Sequence, residues 1–380
     1  MDNIDEKTSK TRLAYLDNTR SLVIILVIAM HAAVTYSGFG FWYYVEGSPE
    51  KLSILEMVFF GFFQSFVQAW SMGVLFFISA YLATKALARR STLNFIKERL
   101  FRLGIPLIIF MFFITPFILF VLFNFNPEKT FIENYIRYIL DFAWLGATGP
   151  LWFVQILLFF CIIYAVLKKL LLRPMKLTNV TPLNIIFAII LTTVIAFLVR
   201  IEIPIGSSFL NLQFAYFPSY IVMFIAGIII GENDLLENIS SEKNIRWLKI
   251  AFIVGIPLWA AIMLFGGALE GKEYYNGGFN WQNFAFALWE SFTAIGFSVG
   301  LIALFKKINI ENKFTKLMRD NAFGIYCFHA PILVAISLLF KNLVLNPILK
   351  FVLVLILASV FCLIFSYLIR KVKPIGLLYK

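Results

Sequence analysis

The sequence predicts an all-α polytopic membrane protein, a bundle of about ten transmembrane helices with both termini in the cytoplasm. Three observations predict it. Hydrophobic residues make up 61% of the 380 positions and charged residues 14%, whereas a soluble domain is nearer half apolar and a quarter charged. Apolar stretches of about twenty residues, long enough to cross a bilayer core, recur along the chain. Finally, 26 of the 33 Lys and Arg residues fall on alternate connections, the bias expected of an even number of spans that begin and end inside.

The apolar runs fall at 21–38, 55–84, 103–124, 150–172, 182–200, 209–231, 247–267, 282–305, 321–340 and 347–369. Before the first lies a mixed-charge segment, and no small-residue cleavage site follows that first run, so it reads as a retained helix rather than a signal peptide. The second is too long for one straight crossing. Its Gln64, Ser65, Gln68 and Ser71 imply a tilt, a break, or a wall facing a polar cavity. The third follows a basic stretch containing Arg99 and Arg102, and the fourth opens at Gly149-Pro150-Leu151-Trp152-Phe153. Pro150 and Trp152 suit an interfacial helix start. The fifth ends at Arg200, one of seven cations left to the outer face, and the seventh follows Lys243, Arg246 and Lys249. Trp289-Glu290-Ser291 lies in the eighth, His329 in the ninth, and Arg370, Lys371 and Lys373 close the tenth. The division expected is a tail at 1–11, a membrane domain at 12–373 and a C-terminal tail at 374–380.

Because the basic excess is topological, the net charge of +12 does not point to nucleic acid. Cys161, Cys327 and Cys362 all sit in apolar runs and read as small hydrophobes rather than disulfide partners. No Cys/His spacing suggests a metal. No internal repeat is evident, so the inverted-repeat signature of many transporters is missing.

The chain has two histidines, His31 and His329, both within apolar runs. An ionisable side chain in hydrocarbon is costly, and its default reading is functional. His31 lies eleven residues past Arg20 and His329 ten past Arg319, each about 15–16 Å deeper at helical rise. Glu290 approaches from the other side, about 13 Å below the interface. Imidazole is suited to take a proton from a hydroxyl near neutral pH, and a carboxylate in the same layer could orient it. The bland reading makes all three interhelical hydrogen-bonding groups. Arg99 and Arg102, three apart and so on one helical face, suit phosphate oxygens or simply anionic lipid heads. Tyr326, one turn before His329, could hydrogen-bond in the same site.

Several segments carry a resemblance: Leu16-Asp17-Asn18-Thr19-Arg20 with His31 after ten intervening residues, Phe76-Phe77-Ile78-Ser79-Ala80-Tyr81, Arg99-Leu100-Phe101-Arg102, Pro150-Leu151-Trp152-Phe153 and Tyr326-Cys327-Phe328-His329. Through them the chain resembles the acyltransferase 3 family over roughly residues 12 to 370, and most of all its glucans biosynthesis protein C type branch. The resemblance implies transfer of an acyl group, often acetyl or succinyl, from cytoplasmic acyl-CoA to a hydroxyl of an extracytoplasmic carbohydrate acceptor. It implies a bacterial plasma membrane as the location, no metal, and no nucleic-acid partner, and leaves a homo-oligomer open. Arg20 and His31 match the family's essential pair, with His329 and Glu290 as further catalytic candidates. Arg99 and Arg102, with Ser79, match positions expected to help hold CoA. Ala80 stands where glycine usually follows that serine, which puts the packing there in question. The esterase-like domain appended to some relatives is not seen, so this chain is expected to finish transfer itself or hand on to a partner. The rival reading is a transporter or flippase of a polar substrate, and a third is a degenerate relative serving as a scaffold.

Overall fold

The computed structural model describes residues 13–123, 126–170, 176–237, 239–373 and 375–379. Residues 1–12 (with Lys7, Lys10 and Arg12), and so the whole of the expected N-terminal tail, lie outside them, as do Arg173 and Lys380. Among the described residues ten helices are long and apolar enough to cross a membrane. They are α1 (Ala14–Ser37), α2 (Ile54–Leu87), α3 (Thr92–Leu122), α4 (Gly149–Leu170), α5 (Pro182–Glu202), α6 (Phe214–Glu232), α7 (Ser241–Phe265), α8 (Trp281–Ile308), α9 (Lys313–Leu339) and α10 (Pro347–Ile369). The only β pairing among the described residues is an isolated bridge between Phe209 and Leu212.

Several helices begin or end well outside their apolar runs. α1 starts seven residues early, α3 eleven and α9 eight, so Arg20, Arg99, Arg102 and Arg319 lie on helices rather than in loops. Hydrophobicity marks only the part of a helix that meets lipid, whereas backbone hydrogen bonding continues into the polar layer. Side-chain caps fix several of the true ends. Ser53 and Glu56 form a capping box at the start of α2, and Asn312 with Thr315 does the same for α9.

α2 is one continuous helix of 34 residues, about 50 Å at helical rise. Its apolar window is 78% buried, against 22–28% for α5, α7 and α10, so α2 runs through the middle of the bundle with those three at the rim. It packs chiefly on α6, and also on α1 and α8. The question raised by Ala80 is answered across the α2–α6 contact. Ala80 is fully buried, and opposite it stands Gly227, where an added Cβ would meet the Phe77 carbonyl and come within 2.8 Å of the Ala80 methyl. The glycine has, in effect, moved to the partner helix, as small residues allow close helix approach in a membrane.

α3 departs most from regular geometry. Leu100–Gly104, Phe110–Ile114 and Phe117–Leu122 are all π-helical, a form that is rare except as single turns at functional sites. An amphipathic surface helix, Phe131–Leu140, braces the widened turns. Its Tyr135 and Tyr138 hydroxyls donate to the carbonyls of Phe112 (3.2 Å) and Met111 (2.5 Å). Cys161, Cys327 and Cys362 are buried free thiols.

Gly227→Ala should force the α2–α6 contact apart and destabilise the protein by about 1–3 kcal/mol, the usual cost of overpacking. Thermal unfolding of detergent-purified protein measures this. Adding Ala80→Gly should recover only part of the loss, because the Phe77 carbonyl stays in the way.

Candidate active site

The ends of α1 and α2 at Ser37 and Ile54 share the face opposite the start of α1, here the far face. A cavity of about 1240 Å³ opens there and reaches down to His31 and Tyr326. Gln64, Ser65, Gln68 and Ser71 of α2 all line it, so the polar stripe of the long second helix is a cavity wall in an unbroken helix. These side chains are tied to neighbours. Gln64 Nε2 donates to Ser37 Oγ (2.8 Å) and Gln68 Nε2 to the Tyr220 hydroxyl (3.1 Å).

The structure brings the two histidines together. Their ring centroids are 5.1 Å apart, with His31 on the cavity wall and His329 fully buried behind it. Each ring is oriented by its own helix. His31 Nδ1 lies 2.8 Å from the Val27 carbonyl and His329 Nδ1 lies 2.6 Å from the Tyr326 carbonyl. A carbonyl only accepts, so in the neutral rings the proton sits on Nδ1 and the lone pair on Nε2. Nε2 of His329 is buried without a hydrogen-bond partner among the described residues.

The loop after α1 covers the pair. Trp42 packs at 3.9 Å from His31 and stacks parallel on His329 at 6.1 Å, centroid to centroid. Glu46 and Gly47 donate their amides to the Thr35 carbonyl (2.8 and 2.9 Å), turning the loop back onto α1. Lys350, buried at the start of α10, fixes the loop further through an ion pair with Glu46 at 2.5 Å. Sequence reading gave Trp42 no role, since nothing in Gly38-Phe39-Gly40-Phe41-Trp42 marks a re-entering loop.

Glu290 lines the same cavity, but its partner is Arg200 rather than either histidine. Arg200, fully buried, pairs with Glu290 Oε2, donates Nε to the Ala215 carbonyl at 3.1 Å and lies over the Tyr216 ring. Two of the seven cations attributed to the outer face, Arg200 and Lys350, are thus buried ion-pair members rather than headgroup contacts. Pro150 and Trp152 also line the cavity, and the Tyr326 hydroxyl donates to the Pro150 carbonyl. The start of α4 is therefore a wall of the site as well as an interfacial helix start.

The arginines stand apart from this cavity. Arg20, on the same face of α1 as His31 and about three turns away, pairs with Asp17 Oδ1 at 3.3 Å. Asp17 in turn lies 4.0 Å from Arg319 Nε. A π-turn begins between Arg99 and Arg102. Arg99 lies over the Phe95 ring with Nε buried and unpartnered among the described residues. Arg102 turns outward to Glu98, 3.4 Å away, and Glu98 also pairs with Arg90. Ser79 is half-buried on α2. None of Arg20, Ser79, Arg99 and Arg102 lines the cavity, which in this conformation reaches His31 from the far face only. Among the described residues no group of three His, Cys, Asp or Glu side chains could hold a metal ion.

A family model described as an acyltransferase domain, that of the acyltransferase 3 family, matches residues 13–370. No curated protein and no solved structure matches the chain.

Arg200→Met should leave the Glu290 carboxylate buried without a counter-charge and cost about 3–5 kcal/mol. The double variant Arg200→Met/Glu290→Met should recover most of that. Thermal unfolding of the two single variants and the double variant completes the cycle.

Proposed function

The chain belongs to the acyltransferase 3 family, and from that premise we propose that this membrane O-acyltransferase moves an acyl group from acyl-CoA to a hydroxyl held in the far-face cavity. The observation that carries the reading is His31: a ring on the cavity wall, its Nδ1 committed to the Val27 carbonyl, with Nε2 left to act as base.

In the proposed step His31 Nε2 removes the acceptor hydroxyl proton as the oxygen attacks the thioester carbonyl. A C–O bond forms, the C–S bond breaks, and the imidazolium returns the proton to the departing thiolate. Ester and free thiol leave, with the imidazole as it began. His329, stacked with Trp42, packs against the catalytic ring from behind. A transient acyl group on His31 Nε2 is the alternative course. Arg20 would act through Asp17, holding the lower end of α1.

The acceptor side is supported by the lining. Trp152, Tyr216, Tyr220 and Trp259 offer aromatic faces, while Gln64, Gln68, Asn211 and Gln213 offer amides, the combination that suits a polyhydroxylated, carbohydrate-type acceptor. For the donor, the buried unpartnered Nε of Arg99 is the strongest candidate contact for CoA phosphate, with Arg90 and Arg102 beside it. Since no cavity-lining residue of α1 lies deeper than Val27, one turn past His31, the thioester must enter by a parting of helices, and the π-turns of α3 make that helix the natural one to move. The positive-inside bias makes the arginine face cytoplasmic and the cavity mouth extracytoplasmic. Acetyl and succinyl groups are the donors to test first.

A cavity open to one face and closed at mid-depth is also the geometry of a carrier. Flux of a sugar into proteoliposomes without any acyl donor would favour that second reading.

His31→Ala should lower transfer of label from radiolabelled acetyl- or succinyl-CoA to hydroxyl acceptors by at least about 10²–10⁴-fold, the usual worth of a general base, with thermal stability retained. Transfer at the wild-type rate would overturn the assignment. Gln68→Leu should instead raise KM for the acceptor and leave KM for the acyl-CoA unchanged.

A further inference from the structure

A second cavity, of about 430 Å³, lies between α9 and α10 at the N-terminal face. It shares no lining residue with the far-face cavity, and no part of the acyl-transfer reading uses it. We infer that it is a binding site for a phosphate-bearing anion.

The cavity is built by one face of each helix. Lys313, Lys316 and Asp320 follow one another by three and four residues along α9, and Arg370 and Lys371, just past the end of α10, follow Tyr367 by three and four. Such spacings place side chains in one row. The inner end of the groove is closed where the helices cross: Ser366 Oγ donates to the Asn321 carbonyl at 3.0 Å, and a Cβ at Gly324 would land on the Ser366 side chain. Beyond that crossing the rows face each other across the cavity.

Its charge is lopsided. Four cations meet a single carboxylate, Asp320, which already has Arg319 Nε at 3.4 Å. None of Lys313, Lys316, Arg370 and Lys371 makes an ion pair among the described residues. Arg370 Nε is buried there without a hydrogen-bond partner, and the Lys371 ammonium rests 4.2 Å from the Tyr367 ring centroid. Lys313, Lys316 and Lys371 are exposed and Arg370 half-buried, and the two helices converge them on an open groove whose volume lies within the ordinary range of ligand sites.

A phosphate group answers this arrangement best. Its several oxygens accept from Lys and Arg together, and Arg offers a fork where Lys offers a point charge. Basic pockets between transmembrane helices are known to take anionic headgroups. Since α10 is a rim helix, 28% buried over its apolar window, a lipid phosphate can reach the groove from the bilayer and a soluble phosphate from water.

The test uses the full chain in phosphatidylcholine nanodiscs, read by thermal unfolding, with phosphatidylglycerol added in one arm and inorganic phosphate in the other. A saturable rise in Tm is expected in at least one arm. A rise with phosphatidylglycerol alone identifies a lipid headgroup, and one with inorganic phosphate alone a soluble ligand. Lys316→Gln/Arg370→Gln should weaken the apparent affinity about tenfold or more, at the usual worth of a cation near a membrane surface. Lys313→Gln/Lys371→Gln, confined to exposed side chains, should act likewise if the first pair disturbs α10. No saturable rise in either arm, or wild-type titrations from both double variants, would overturn the site.

Discussion

A polar stripe on a helix inside a membrane must be kept from hydrocarbon, and the architecture of this bundle follows from that constraint. Gln64, Ser65, Gln68 and Ser71 of α2 could not face lipid without leaving amide and hydroxyl groups unsatisfied. They are shielded because α1, α6 and α8 surround α2 while α5, α7 and α10 form the rim. The water-accessible space left between these layers is the cavity. The Arg200–Glu290 pair works within the same constraint. It neutralises two charges that would otherwise be stranded and ties the end of α5 to α8 and to the start of α6.

The imidazoles meet at the floor of that space under strict orientation. Each donates from Nδ1 to a backbone carbonyl of its own helix, three or four residues back. Ring position is therefore a property of the helix rather than of a mobile partner. Trp42 closes the opposite side, so the pair is held between two backbones and an indole. Such preorganisation suits proton transfer at a fixed point. Two histidines separated by 298 positions in the chain are thereby brought into ring contact.

Much of the fold was legible because hydrophobic length and charge alternation are set by the bilayer itself. The ten spans, the polar stripe of α2 and the shared depth of His31 and His329 all came from that periodic information. What escaped depended on contacts between distant segments. Arg200 and Lys350 look like ordinary boundary cations until Glu290 and Glu46 are seen beside them. Trp42 sits in a connection whose return over the bundle leaves no local pattern. The π-turn between Arg99 and Arg102 escaped as well, because π-turns have no compositional signature. The acyl-transfer chemistry itself was readable only through the family motifs, since composition alone fits a carrier equally well.

The Glu46–Lys350 tie joins the cover of the imidazoles to α10, a helix largely immersed in lipid. Part of the wall around the two imidazoles is therefore moored to a rim helix rather than to the interior. Any shift of α10 against its surroundings is thus carried through this ion pair to the segment that holds Trp42.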